Sequence, residues 1–196
     1  MLHTAQAMEA AATAVSKQAV LGIPCNTFHA PAIFDRFLKL LNENDIDVEV
    51  LNMLQETAQY IKAHYPDVKK IGVMSTTGTR SVKVYNEILE PLGFEIIEVP
   101  EELQPELHDS VYNQEWGVKA KYPVTHTARS NFLKYVEILK QQGAEVIVLG
   151  CTEIPIALPE NQIDDTPLLD PMNILARALI RASARNKLLP LVNTES

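Results

Sequence analysis

The sequence predicts an α/β fold with parallel sheets, and three observations predict it. Short apolar, β-branched runs recur along the chain (Val48, Val50; Ile71, Val73; Ile96, Ile97; Val146, Ile147, Val148). Segments of helical periodicity separate them. Such alternation of strand and helix is the pattern of a parallel sheet covered by helices.

Taken in order, the Ala-rich stretch 1–17 reads as a helix packed by small side chains. Residues 19–24 read as a strand that runs into Cys25-Asn26-Thr27. Pro31 suits the first turn of a helix over 31–44, whose apolar positions include Phe34, Phe37 and Leu41. A strand over 48–52 and a connecting helix over 56–64 follow, the latter stopped by Pro66. The strand 70–74 leads through the loop Ser75-Thr76-Thr77-Gly78-Thr79 into one helix reaching Leu92. A strand over 94–99 and a helical segment from Pro100 come next. Residues 111–124 hold Trp116, Gly117 and Pro123 and show no period. A clear amphipathic helix over 128–142 ends at Gly143. The strand 146–150 runs into Cys151, 168–170 reads as a short edge or linker strand, and 171–184 is the last helix before a polar tail.

Composition bounds the function classes. The 196 residues are 46% hydrophobic and 21% charged, as in an ordinary globular protein able to bury a core. A net charge of -8 argues against a nucleic-acid partner, because phosphate binding needs a clustered basic surface. No apolar run reaches 18 residues, so no membrane partner is expected. The two cysteines, without a secretory signal, read as free thiols in a reducing, cytoplasmic setting. They lack the close spacing of a metal site.

Both cysteines stand where a strand is predicted to end, each followed by small polar residues: Cys25-Asn26-Thr27 and Cys151-Thr152-Glu153. Ligands of open α/β sheets bind outside the carboxyl ends of strands. Two thiols so placed suggest an acid/base pair facing a substrate from opposite sides. The loop Thr76–Thr79 could hold an anion on its N–H groups at a helix start, or act only as a helix cap. Lys119 alone reads as a solvated lysine, His29 as a helix-start hydrogen-bonder, Asp170 as the N-cap before Pro171, and Trp116 as packing.

The pair Ile23-Pro24-Cys25-Asn26-Thr27…His29 and Leu149-Gly150-Cys151-Thr152-Glu153-Ile154-Pro155 resembles the aspartate/glutamate racemase superfamily, most closely its aspartate racemase branch. Ser75-Thr76-Thr77-Gly78-Thr79, Gly117-Val118-Lys119-Ala120 and Asp170-Pro171 support the resemblance. It implies two small Rossmann-like parallel-sheet domains with a cleft between them: residues 1–55 plus 171–196, and residues 68–167. It also implies cofactor-independent racemisation of an acidic amino acid, with Cys25 and Cys151 as the two bases and homodimerisation as the family habit. Substrate binding falls, on this resemblance, to Asn26, Thr27, Thr76, Thr77, Gly78, Thr79, Lys119 and Thr152, with Glu153 supporting. Neither metal nor cofactor is implied. Family members begin with a strand, a Gly-Gly-Met-Gly-Pro-like loop, a helix, a second strand and a substrate-binding arginine. This sequence begins at the helix that follows, so the first domain is expected to be incomplete and to expose a sheet edge.

Overall fold

A computed structural model describes residues 1–190; residues 191–196, the end of the tail grouped with the first domain above, lie outside the described residues. The elements in order are α1 (Leu2–Ala14), β1 (Ala19–Gly22), α2 (Pro31–Glu43), β2 (Val48–Leu51), α3 (Met53–His64), β3 (Lys70–Met74), α4 (Thr77–Ser81) and α5 (Val84–Leu89). Then follow β4 (Glu95–Glu98), α6 (Gln104–Tyr112), α7 (His126–Gln141), β5 (Val146–Leu149), α8 (Ile154–Ala157), β6 (Gln162–Ile163), β7 (Thr166–Leu169) and α9 (Pro171–Ala184).

The larger sheet has five strands in the order β4-β3-β5-β7-β6. The first four are mutually parallel, and β6 runs antiparallel to β7. Period-two alternation along β3 and β5 divides the core. Met74, Ile147 and Leu149 face Leu107, Phe132, Tyr135 and Leu139 of α6 and α7. Ile71, Val73, Val146 and Val148 face Met53, Leu54, Ile61, Leu89 and Leu175 of α3, α5 and α9. Helices therefore cover both faces, which is why β5 is uniformly buried and reads as a continuous apolar run.

The smaller sheet pairs β1 with β2 in parallel, in register from Ala19 with Val48 to Gly22 with Leu51. Phe37, Leu41 and Ile46 pack with Ile23 and Ala5 beside it. Among the described residues no third strand joins these two. Helix α9 links the sheets: Ile174 and Leu175 share the core of the larger one, while Leu175 and Leu179 lie against Gly22 of β1.

The structure corrects the sequence reading in four places. Helix α3 starts at Met53, because the Asn52 side chain accepts hydrogen bonds from the N–H groups of Leu54 and Gln55 (3.0 and 3.2 Å). The helix expected to reach Leu92 is two, broken at Lys83, which sits at φ 47. The segment 168–170 is no edge: β7 lies between β5 and β6. Residues 75–79 are only partly loop, since α4 begins at Thr77.

Candidate functional site

Strand β1 delivers the first cysteine. Cys25 donates its N–H to the Ile23 carbonyl (2.9 Å), and Asn26–His29 then form a 3-10 turn into α2. Cys25 is exposed; both thiols are free. His29 is buried, its ring Nε2 lying 3.0 Å from the Ile23 carbonyl. Burial lowers its pKa against the pull of that carbonyl. His29 is thus a neutral strut that bonds back to the strand rather than to a helix start.

Strand β5 delivers the second cysteine. Gly150 fits here because there is no room for a side chain: a Cβ would lie 2.9 Å from the Met74 carbonyl oxygen and 3.0 Å from Cε2 of Tyr85. The Gly150 N–H bonds that same carbonyl at 2.7 Å, so Cys151 is locked to the end of β3. The buried Cys151 thiol donates to Glu153 Oε2 at 2.9 Å, and the Thr152 hydroxyl donates to the same oxygen at 2.9 Å. Lys119 Nζ stands 3.2 Å from Glu153 Oε1 and 5.0 Å above the Tyr112 ring.

The electrostatics of this cluster are lopsided. Burial, and then the hydrogen bond to Glu153, push the Cys151 thiol up to about 12, so it is protonated at neutral pH. Burial alone would raise Glu153. The donors Cys151, Thr152 and Lys119 together outweigh it and hold the carboxyl below its usual value. The hydrogen bond to Glu153, reinforced by its charge, raises Lys119 and keeps it cationic. A carboxylate therefore sits against a thiol, with a lysine on its other oxygen.

Two hydrogen bonds join the Cys25 turn to the larger sheet. Thr27 Oγ1 and Thr79 Oγ1 of α4 are 2.8 Å apart. Tyr85 of α5 donates its hydroxyl to Asn26 Oδ1 at 2.5 Å. Sequence reasoning missed Tyr85, because its partner lies 59 residues away and nothing in its local pattern distinguishes it from a core tyrosine. It also missed the brace under residues 75–79. Arg80 donates to the Val99 carbonyl (2.8 Å) and Gln104 Oε1 (2.9 Å), and Gln104 Nε2 donates to the Ser75 carbonyl (2.9 Å).

The remaining candidates fall as follows. Thr76 is the N-cap residue of α4 without a side-chain capping bond, and Gly78 has open space where a Cβ would be. At five residues, α4 is too short to count as a strong anion site through its dipole. Asp170 is the N-cap of α9, its Oδ1 accepting from the Met172 N–H at 2.9 Å. Trp116 packs against the core beside α7.

Lys119 depends on a crowded turn. A Cβ on Gly117 would meet backbone atoms of Asn113 at 2.6 and 2.7 Å and the Val111 carbonyl at 2.9 Å. The Lys119 N–H bonds that carbonyl at 3.0 Å. Gly117→Ala is expected to cost about 1–3 kcal/mol by overpacking. Thermal melts should show it, with Gly78→Ala close to the wild-type midpoint. Equal midpoints for the two variants would refute the crowding.

The family model for Asp/Glu/hydantoin racemase matches residues 1–179. A glutamate racemase from Thermoanaerobacter sp. (strain X514) is 29% identical over 161 residues, covering 79% of this chain and 53% of that protein. The chain thus spans about half the length of that curated relative. An aspartate racemase homologue from Pyrococcus horikoshii OT3 superimposes with a TM-score of 0.69 at 22% identity, over 92% of this chain and 71% of the other. The Picrophilus torridus aspartate racemase gives 0.66 at 23% identity, over 91% and 68%. At such identities these two structures speak to the fold alone. The family match over residues 1–179 carries the assignment: this chain belongs to the Asp/Glu/hydantoin racemase family.

Proposed function

We propose that this protein racemises aspartate or a related acidic amino acid without a cofactor, using Cys25 and Cys151 as the two acid/base groups. The observation that carries this reading is the anchoring of the Cys25 turn to α4 and α5 through Thr27–Thr79 and Asn26–Tyr85, with Tyr85 also beside Gly150, which precedes Cys151, and with Cys151 held as a thiol on Glu153.

In the resting protein Cys151 is the acid. The Cys25 thiolate takes the α-proton of one enantiomer, and the Cys151 S–H delivers a proton to the opposite face of the carbanion. The protein then holds a Cys25 thiol and a Cys151 thiolate, the form that processes the other enantiomer. Returning to rest requires a proton to reach Cys151 and one to leave Cys25. Glu153, with Oε2 on the thiol and a partly exposed carboxylate, relays the first of these. Lys119 receives a substrate carboxylate, and the Thr27 hydroxyl with the Asn26 amide supplies hydrogen-bond donors for the charge that develops on it, while the Thr152 hydroxyl holds Glu153 in place.

Incubation with L-aspartate, with no added cofactor, followed by chiral chromatography tests the reading. Formation of D-aspartate supports it. Tight aspartate binding with no D-isomer from either aspartate or glutamate would instead make the chain an amino-acid-binding protein.

The role of Glu153 has a distinct signature. Glu153→Gln removes the charge that holds the Cys151 proton in place, so the pH profile of Cys151 alkylation by iodoacetamide should move to lower pH. The same change removes the relay, so racemisation should fall by about 10- to 100-fold, the lower part of what a positioned acid/base group supplies. A more acidic thiol with undiminished turnover would exclude the relay.

A further inference from the structure

We infer that Tyr85 is a positioning residue that sets the two thiols relative to one another by fixing the Asn26 amide next to Cys25 while its ring lies beside Gly150, next to Cys151. The inference rests on the two-thiol reading above and adds a residue to it.

Tyr85 bonds the residue following one cysteine and occupies the space where a side chain on the residue preceding the other would lie. Its hydroxyl donates to Asn26 Oδ1 at 2.5 Å, and its Cε2 stands 3.0 Å from where a Gly150 Cβ would lie. The side chain is 3% exposed and Asn26 is 6% exposed, so water offers little substitute for the bond between them. Burial, and then the nearby Cys151 and Asp170, hold the phenol well above its ordinary pKa, so it stays a hydrogen-bond donor across the working pH range. With Oδ1 engaged by the phenol, the Asn26 Nδ2 is directed away from Tyr85. Among the described residues no side-chain hydrogen bond uses that nitrogen, which leaves it free for a ligand. The second link, Thr27 to Thr79, is a single hydroxyl–hydroxyl bond at 2.8 Å whose donor either residue can supply. Tyr85 is the rigid one: a ring buried in the core of the larger sheet beside Val84 and Leu89.

A double-mutant cycle separates positioning from packing. Tyr85→Phe keeps the ring against Gly150 and deletes only the hydroxyl; Asn26→Ala deletes the acceptor. Tyr85→Phe should lower kcat/KM for aspartate racemisation about 10- to 100-fold, the scale of one buried hydrogen bond lost. In the Asn26→Ala background the same change should cost less than about twofold, because its partner is already gone. Additive losses, or wild-type turnover in Tyr85→Phe, would overturn the inference. Asn26→Ala keeps the intact tyrosine, and because it also removes the amide assigned to the substrate it must lose at least as much as Tyr85→Phe; a smaller loss would overturn the inference. Should the wild-type chain not racemise, the reading under "Proposed function" falls on its own. The cycle is then read on the rate of Cys25 alkylation by iodoacetamide without substrate. A threefold or greater change in Tyr85→Phe that disappears in the Asn26→Ala background supports Tyr85 as the positioner. An unchanged or additive rate overturns it.

Discussion

Cys25→Ala and Cys151→Ala are each expected to reduce aspartate racemisation by ~10²–10⁴-fold, the range a positioned acid/base group contributes. Each removes one of the two proposed proton carriers, and on that reading the remaining thiol works on only one face of the carbanion. The equilibrium constant of a racemisation is one, so kcat/KM must fall equally for the two enantiomers in either variant. Chiral chromatography run from L- and from D-aspartate checks both the size of the loss and that equality. The folds should persist: Cys25 is exposed, and Cys151 contributes only a small side chain at the margin of its core. A variant that keeps more than a tenth of the wild-type rate would remove its cysteine from the chemistry.

The largest effect on stability is expected at Phe132. This α7 residue is fully buried and packs in the cluster that contains Met74, Leu149 and Cys151, directly behind the strand that presents the second thiol. Phe132→Ala should cost about 3–5 kcal/mol, the sum of lost transfer energy and the cavity left behind. That is a large share of the roughly 5–15 kcal/mol that holds a typical domain together. Urea unfolding of the variant beside Leu133→Ala makes the contrast, since the neighbouring leucine is 37% exposed and its truncation should be mild. Similar midpoints for the two variants would mean that α7 does not pack on the sheet as described.

Much of this arrangement is legible in the residues themselves. The strand 70–74 and the helix 171–184 coincide with β3 and α9, because β-branched alternation and an Asp-Pro helix start are strong local signals. The cysteine turns are legible for the same reason: each closes an apolar run with a small polar residue. Local signals fail where distant atoms decide. Lys83 gives no hint that it breaks a helix, and Ile154–Ala157 and Gln162–Ile163 are too short to show a period. Residues 168–170 read as an edge because β6, the strand that flanks them, is only two residues long.

The site shows the same division. Glu153 was legible as a neighbour of Cys151, but the Lys119 charge on its second oxygen comes from a turn 34 positions upstream, shaped by the crowding at Gly117. Tyr85 looks like any core aromatic of a short amphipathic helix until its hydroxyl is found on Asn26. Charge composition also misleads: -8 overall gives no sign that a lysine, a carboxylate and a thiol meet at one strand end.

The most direct measurement is proton NMR of L-aspartate in D2O with the wild-type chain and no added cofactor. Two thiols acting as acid and base predict that the α-proton signal disappears while D-aspartate accumulates, and that D-aspartate as the starting material behaves the same way. An α-proton signal that stays constant while aspartate is demonstrably bound would contradict the assignment of Cys25 and Cys151 as a proton-transferring pair.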